Sequence, residues 1–328
     1  MISVVLVAAI KSVLILATVL AGFAYATLLE RRLLARFQLR HGPNRVGPFG
    51  LFQPIADGIK LIFKENFVPA AADRFVYWLA PTISMVAALF VYAVIPIGPD
   101  IRFFGTTVPL YVADVNVGIL LVLGASSIGV YGVILGGWSS NNKYALLGCL
   151  RSGAQLISYE LAIGLAVVSV VLTAGSLSLV DIVNAQQRLW FVAFQPVGFL
   201  IFFIGALAET NRAPFDLPEA EQELIAGFHT EYGGFKFAMF YAGEYVGVIT
   251  MSLLVTTLFL GGWHGPLLPG PLWVAIKTFA FVCLFIWIRA TMPRVRHDQL
   301  MAFGWKVLVP LGLLNVVATA VIVALVGG

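Results

Sequence analysis

The chain has 328 residues, of which 60% are hydrophobic and 11% are charged, and its formal net charge is +4. A soluble domain is nearer half apolar and a quarter charged, so this composition excludes an ordinary soluble protein. It predicts an all-α integral membrane protein, because long apolar runs cross a bilayer as helices.

Eight apolar runs predict about eight transmembrane helices within a single multi-span domain over residues 1–328. A spanning helix needs about 20 consecutive apolar residues. The segments that meet this requirement are 3–29, 76–96, 116–138, 158–178, 189–208, 238–262, 272–292 and 307–326. The first run lacks a small-residue cleavage site, which favours a retained span over a signal peptide. Lys11 and Lys277 lie inside two runs, where each would reach the interface or face the protein interior.

The loops between these spans alternate in basic charge. The loops after spans one, three, five and seven contain sixteen of the twenty lysine and arginine residues, whereas the other loops contain Arg102 and Arg188. Because basic loops stay in the cytoplasm, the odd-numbered loops are predicted to be cytoplasmic and both termini to lie outside. A basic cluster after span seven is interpreted as a determinant of this topology: Arg289, Arg294 and Arg296.

The first cytoplasmic loop, residues 30–75, contains its own predicted helix. Residues 41–50 are rich in turn formers, and residues 51–67 then show helical periodicity. The polar stripe of this amphipathic helix is Gln53, Asp57, Lys60 and Lys64. Such a helix lies along the membrane surface with its apolar side in lipid or against the spans, or it only seals the bundle. Glu30 and Arg31 are either interfacial or line a cavity where two loops meet the membrane.

A second cytoplasmic loop, residues 209–237 (the acidic loop), carries an unusual density of carboxylates. Seven of the sixteen acidic residues of the chain lie between positions 209 and 244: Glu209, Asp216, Glu219, Glu221, Glu223, Glu231 and Glu244. Glu209 and Glu244 abut long apolar runs, where an ionised carboxylate is costly. Acids kept in such places are candidates for moving protons or charge. The alternative is an ordinary acidic loop.

Glu160, in predicted span four, adds a third carboxyl group within the apolar region. If Glu160, Glu209 and Glu244 converge, three helices supply a chain of protonatable sites. The alternative is three independent acids with structural hydrogen bonds. Arg212 follows Glu209 at i+3, close enough for an ion pair if the helix continues past Glu209.

The sequence contains no pattern for an electron-carrying cofactor. Cys149 and Cys283 are isolated, which argues against an iron–sulfur cluster. None of the four histidines lies mid-span, so a membrane haem has no obvious ligands. No nucleotide-binding motif occurs either, and no metal site is predicted.

Four long stretches together resemble one family end to end. They are ERRLLARFQLRHGPNRVGPFGLFQPIADGIKLIFKE, RSGAQLISYELAIGL, AETNRAPFDLPEAEQELIAGFHTEYGGFKFAMFYAGEY and RATMPRVRHDQLMAFGWKVLVPLGLLN. These stretches are similar to the H subunit of bacterial respiratory complex I, whose mitochondrial counterpart is subunit one of NADH dehydrogenase. The resemblance implies a subunit of the proton-translocating NADH:quinone oxidoreductase of a bacterial inner membrane.

The resemblance also implies the substrate and the partners. Such a subunit forms much of the chamber for a quinone, either ubiquinone or menaquinone, and joins the peripheral arm to the membrane arm. NAD, FMN and the iron–sulfur clusters belong to partner subunits, and this chain binds no flavin, haem or cluster. The partners are the peripheral quinone-site subunits, the small and antiporter-like membrane subunits and membrane lipids. No nucleic-acid partner is expected.

Site residues follow from the resemblance by position, and none of them is catalytic by itself. The implied quinone-chamber or entry residues are Glu30, Arg31, Arg45, Gln53, Asp57, Lys60, Arg212 and Phe215. The implied proton-coupling residues are Glu160, Glu209, Glu244, Asp216, Glu219, Glu221 and Glu223.

Three rival interpretations remain open from the sequence. The nearest is the homologous membrane subunit of an energy-converting hydrogenase or a related dehydrogenase. A free-standing proton-coupled transporter would explain the intramembrane acids but not two elaborate cytoplasmic loops. A structural scaffold would explain the loops but not the acids.

Overall fold

Long membrane-crossing helices form most of this protein. The computed structural model describes residues 2–103, 106–218 and 221–326. Within these residues, seven helical stretches are long and apolar enough to cross a membrane, and a further apolar helix is shorter. The all-α membrane class is therefore confirmed. A short antiparallel hairpin, β1 (Ile101–Phe103) and β2 (Thr106–Val108), accompanies the helices.

The helices follow the predicted order along the chain. Their bounds are α1 (Ile2–Phe37), α2 (Gln53–Phe63), α3 (Arg74–Phe90), α4 (Gly118–Ser139), α5 (Lys143–Ala174), α6 (Leu179–Ala185), α7 (Phe191–Phe194), α8 (Pro196–Glu209), α9 (Glu221–Leu224), α10 (Gly234–Phe259), α11 (Gly270–Thr291), α12 (His297–Phe303) and α13 (Val309–Val326). A π-helical segment, Gly304–Leu308, joins the last two. Helix α5 packs against α4, α8 and α13, and α10 packs against α1, α3 and α11.

The fifth predicted span is interrupted. Its C-terminal part, α8, has 14 residues and is about 21 Å long, shorter than the hydrocarbon core of a typical bilayer. The break falls at Gln195 and Pro196, because Pro196 cannot continue the preceding helix. The Gln195 side chain is buried and donates to the Ser169 carbonyl at 2.8 Å. The eighth predicted span is thus present as a shorter helix.

Helix α5 begins at Lys143, well before the predicted start at residue 158. Asn142 caps it by accepting a hydrogen bond from the Tyr144 amide at 2.9 Å. The polar residues of its first half are used inside the protein. Gln155 is fully buried and donates to the carbonyls of Ala208 and Phe215, each at 2.9 Å. These contacts tie α5 to the end of α8 and to the acidic loop.

The amphipathic helix α2 presents its apolar stripe outward. Ile55, Ile59 and Ile62 are more than half exposed, and Phe63 is 83% exposed. The polar residues Gln53 and Asp57 lie against the protein instead. A soluble helix buries the opposite face, so this orientation suits a helix whose apolar side meets lipid.

The two lysines predicted within apolar runs have different surroundings. Lys277 faces the protein interior, and its Nζ donates to the carbonyls of Leu260, Gly262 and His264 at 2.6, 3.0 and 2.8 Å. These bonds satisfy the carbonyls that follow α10, as cations do at helix C-termini. Lys11 is partly buried on α1.

Gly132 is expected to be a sensitive packing position between α3 and α4. A Cβ atom there would lie 2.8 Å from the Ser84 nitrogen and 2.9 Å from the Ala80 oxygen, both backbone atoms. We expect Gly132→Ala to destabilise the protein by about 1–3 kcal/mol, because the helices would have to separate. Gly124→Ala on the same helix is the matched control, since no atom lies within 4 Å of a Cβ there. Thermal unfolding in detergent measures both; equal melting temperatures would contradict this packing.

Candidate functional site

Charged residues from distant parts of the chain meet inside the helix bundle around Arg212. The guanidinium of Arg212 is buried, with Nη1 3.7 Å from Glu30 Oε1 and Nη2 3.7 Å from Glu244 Oε2. Its Cζ atom lies 4.4 Å from the centre of the Tyr245 ring, where a cation is attracted by the aromatic face. Arg212 therefore bridges a carboxylate of α1 and a carboxylate of α10.

The end of α8 explains why Arg212 reaches these partners. The helix stops at Glu209, and Asn211 then adopts a positive φ of 50°. The chain turns away from the helical path, so the condition for an i+3 pair between Glu209 and Arg212 is not met. The turn carries the Arg212 side chain between α1 and α10.

Glu30 and Arg289 extend the network to the edge of a narrow crevice between α1, α10 and α11. Glu30 is buried and accepts a hydrogen bond from Arg289. The crevice has a volume of about 20 Å³, and its wall combines Glu30, Arg212 and Arg289 with apolar side chains. A few fixed polar groups beside an apolar wall suit a ligand that has a polar head and an apolar body.

Glu209 and Glu244 line a second, larger cavity between α3, α4, α8 and α10. Its volume is about 110 Å³, which is room for several water molecules. Polar side chains on its wall are Ser84, Ser126, Thr210, Asn211 and Thr250. Within the described part of the chain, the buried Oε2 of Glu209 has no hydrogen-bond partner. A carboxyl oxygen in that setting can bond to water and exchange a proton through it.

Glu244 connects the two spaces. It lines the cavity, and it lies 3.7 Å from Arg212, which lines the crevice. Glu160 lies nearby on α5, where it accepts a hydrogen bond from the Ser127 hydroxyl of α4. It is close enough for its charge to act on Glu209. The structure thus places the three predicted intramembrane carboxyls around neighbouring parts of one bundle.

The predicted residues of the first loop form a separate polar cluster. Arg31 Nη1 lies 2.6 Å from Asp57 Oδ2, and Gln53 Nε2 donates to Asp57 Oδ1 at 3.0 Å. This cluster ties the polar stripe of α2 to the end of α1. Arg45 and Lys60 are exposed.

The predicted residues of the acidic loop have different environments. Phe215 is buried and its ring centre lies 5.5 Å from that of Tyr159, so it contributes to the core beside α5. Asp216 is partly buried. Glu219 and the side chain of Glu221 lie outside the described residues.

Glu223, by contrast, is held by two arginines. Its Oε2 accepts a hydrogen bond from Arg151 Nη1 at 2.8 Å, and its Oε1 lies 3.0 Å from Arg294 Nη2. The hydrogen bond from Arg151 and the charge of Arg294 hold the pKa of the Glu223 carboxyl below its ordinary value, against a small opposing effect of burial. Glu223 is therefore ionised at neutral pH.

Several residues of these clusters were not predicted as site residues. Tyr245 stacks on Arg212, and its hydroxyl lies 2.9 Å from that of Tyr241. The i, i+4 spacing of two tyrosines around Glu244 is the only sequence sign of this contact. Arg289 and Arg294 were interpreted as topology determinants, and their carboxylate partners depend on tertiary contacts that loop charge alone does not reveal. Among the described residues, no group of three or more His, Cys, Asp or Glu is placed to hold a metal ion.

Comparison with known proteins gives a consistent result over nearly the whole chain. The family described as NADH dehydrogenase matches residues 10–320. The H subunit of the NADH-quinone oxidoreductase of Protochlamydia amoebophila is 58% identical over 297 residues, which is 90% of this chain and 91% of that protein. The second H subunit of the same enzyme in Geobacter sulfurreducens is 58% identical over 309 residues, 94% of each chain. The H subunit from Thermomicrobium roseum is 54% identical over 319 residues, again 94% of each.

These matches and the seven long apolar helices define the class: an integral membrane protein of the NADH dehydrogenase family. Within that class, the chain belongs to the family of H subunits of NADH-quinone oxidoreductase. The resemblance drawn from the sequence is confirmed, and with it the assignment to an enzyme complex.

Proposed function

We propose that this chain forms much of the quinone-access chamber of a proton-translocating NADH:quinone oxidoreductase and couples quinone reduction to proton translocation. One observation carries the proposal: Arg212 joins the crevice to the cavity through its contacts with Glu30 and Glu244. A change of charge beside the crevice therefore acts directly on a carboxylate that lines the cavity.

The chemistry of the quinone supplies that change of charge. A quinone gains two electrons and two protons on reduction, so its head group becomes transiently more negative. Its electrons would come from flavin and iron–sulfur clusters held by partner subunits. In this chain, the positive charges of Arg212 and Arg289 would attract the more negative head group, and their hold on Glu30 and Glu244 would weaken.

The carboxyls around the cavity would pass the signal onward. When Arg212 moves toward the quinone, Glu244 loses part of its compensating charge and gains a proton from the cavity. Glu209 shares that cavity, and Glu160 lies close enough for its charge to act on Glu209. Either proton movement along this set or a rearrangement of the acidic loop would then reach the neighbouring antiporter-like subunits.

The two elaborate loops supply the surfaces for partners. The first loop, 30–75, and the acidic loop, 209–237, would face the peripheral quinone-site subunits. The exposed apolar stripe of α2 would meet membrane lipid beside the chamber mouth, since Arg31 and Asp57 fix α2 at the end of α1. Exposed apolar faces of the long helices would contact lipid and the small membrane subunits.

The orientation of the chain follows from its basic residues. The odd-numbered loops would lie in the cytoplasm and both termini on the periplasmic side of a bacterial inner membrane, because sixteen of twenty lysines and arginines lie in those loops. This orientation puts Arg212, the acidic loop and α2 on the side from which the peripheral arm docks.

A native gel of mildly solubilised membranes tests the assignment. We expect the chain to migrate with an inhibitor-sensitive NADH:quinone reductase much larger than itself. Migration with hydrogenase activity and without NADH oxidation would favour the membrane subunit of a related hydrogenase. Migration as a small isolated species would favour a free-standing transporter, and the chamber assignments would then be withdrawn.

A further inference from the structure

The acidic loop is attached to the helix bundle at three places of different character. At its start, Arg212 is buried between Glu30 and Glu244. Near its end, Tyr232 is buried and stacks on Tyr77 with ring centres 4.1 Å apart. Both of these attachments are enclosed by protein, so they are permanent parts of the fold.

The middle attachment lies at the surface. Glu223 is 56% exposed in its side chain, and its two oxygens each contact a different arginine. Arg151 belongs to α5, whereas Arg294 belongs to the segment between α11 and α12. The carboxylate therefore connects the loop to two separate elements that flank it. Exposed ion pairs are weak and sensitive to salt, so this contact can open without unfolding the protein.

We propose that Arg151 and Arg294 are positioning residues that hold the acidic loop at Glu223, so that Glu223 anchors the loop and does not carry protons. The inference deepens the proposed function, on which it rests, because the position of the loop then determines how the chamber meets the quinone. It separates Glu223 from Glu160, Glu209 and Glu244, which border or adjoin the cavity. Its low pKa agrees with this role, since a permanently ionised group cannot exchange protons at neutral pH.

The test uses three single variants of the intact complex: Glu223→Gln, Arg151→Gln and Arg294→Gln. Backbone hydrogen exchange over residues 223–233 reports the position of the loop, and the quinone dependence of turnover separates KM from kcat. We expect each variant to raise exchange and the KM for a short-chain quinone by about two- to fivefold, with kcat changed little. Double variants should be no worse than singles, because all three residues form one contact.

Two further variants make the result decisive. Arg296→Gln is the matched control, because Arg296 is 75% exposed, lies two residues from Arg294 and pairs with Asp298 instead. The triple exchange Glu223→Arg, Arg151→Glu, Arg294→Glu should restore exchange and KM toward the wild-type values, since it rebuilds the contact with reversed charges. A proton carrier could not be restored in this way.

Three outcomes would overturn the inference. They are unchanged exchange in the arginine variants, a loss of kcat confined to Glu223→Gln, and failure of the charge exchange to restore the loop. Failure of the proposed function is distinguishable, because it would appear as an absence of NADH:quinone activity in the wild-type complex. The exchange measurement would still report on the loop in that case.

Discussion

Replacement of Arg212 by glutamine is expected to lower NADH:quinone turnover at least tenfold. Arg212 is buried and faces two carboxylates, Glu30 and Glu244, each at 3.7 Å. Removal of one member of a buried charge network leaves uncompensated charge, at a cost of about 3–5 kcal/mol. Glutamine also loses the contact of the guanidinium with the Tyr245 ring. The crevice and the cavity would then no longer be joined by a cation.

The measurement compares NADH:quinone activity with NADH oxidation by an artificial acceptor in the same membranes. The second activity belongs to the peripheral arm and should be retained in proportion to the assembled complex, which a native gel quantifies. Arg212→Lys keeps the charge without the planar fork and should give an intermediate rate. Arg296→Gln, at an exposed position, should change nothing. A wild-type rate for Arg212→Gln would remove Arg212 from the account.

Replacement of Glu209 by glutamine is expected to lower coupled turnover by about 100-fold, the usual order for loss of a proton-transferring group. The substitution conserves size, and the cavity beside Glu209 is large enough to hydrate the new amide. Assembly should therefore be normal. The change removes the ability of this position to hold and release a proton.

The matched control for Glu209→Gln is Asp298→Asn, which alters a carboxylate that is 70% exposed and far from the cavity lining. Both variants are compared for the amount of assembled complex and for turnover with quinone. If Glu209→Gln instead lowered assembly and left the turnover of each assembled complex unchanged, Glu209 would be a structural residue.

The membrane spans could be predicted from the sequence because run length and the absence of charge decide them. Where polar residues bond inside the protein, the prediction failed locally. Helix α5 starts early because Gln155 finds carbonyl partners at the end of α8 and in the acidic loop. The fifth span breaks because Gln195 and Pro196 interrupt it.

The candidate site was only partly predictable for a related reason. Glu209 and Glu244 stand out in the sequence because acids are rare beside apolar runs. Their connection through Arg212 could not be predicted, because it depends on the turn after α8 and on where α1 meets α10. Likewise, Glu223 looks like the other acids of its loop until Arg151 and Arg294 are seen beside it.

The most direct test of the central claim is proton translocation by the Glu244→Gln complex in sealed vesicles, measured together with NADH oxidation by quinone. Glu244 is the residue that joins the crevice to the cavity. We expect both rates to fall below about a tenth of the wild-type values in a normally assembled complex. Wild-type oxidation with full proton translocation would contradict the account, because the carboxyls would then have no part in coupling.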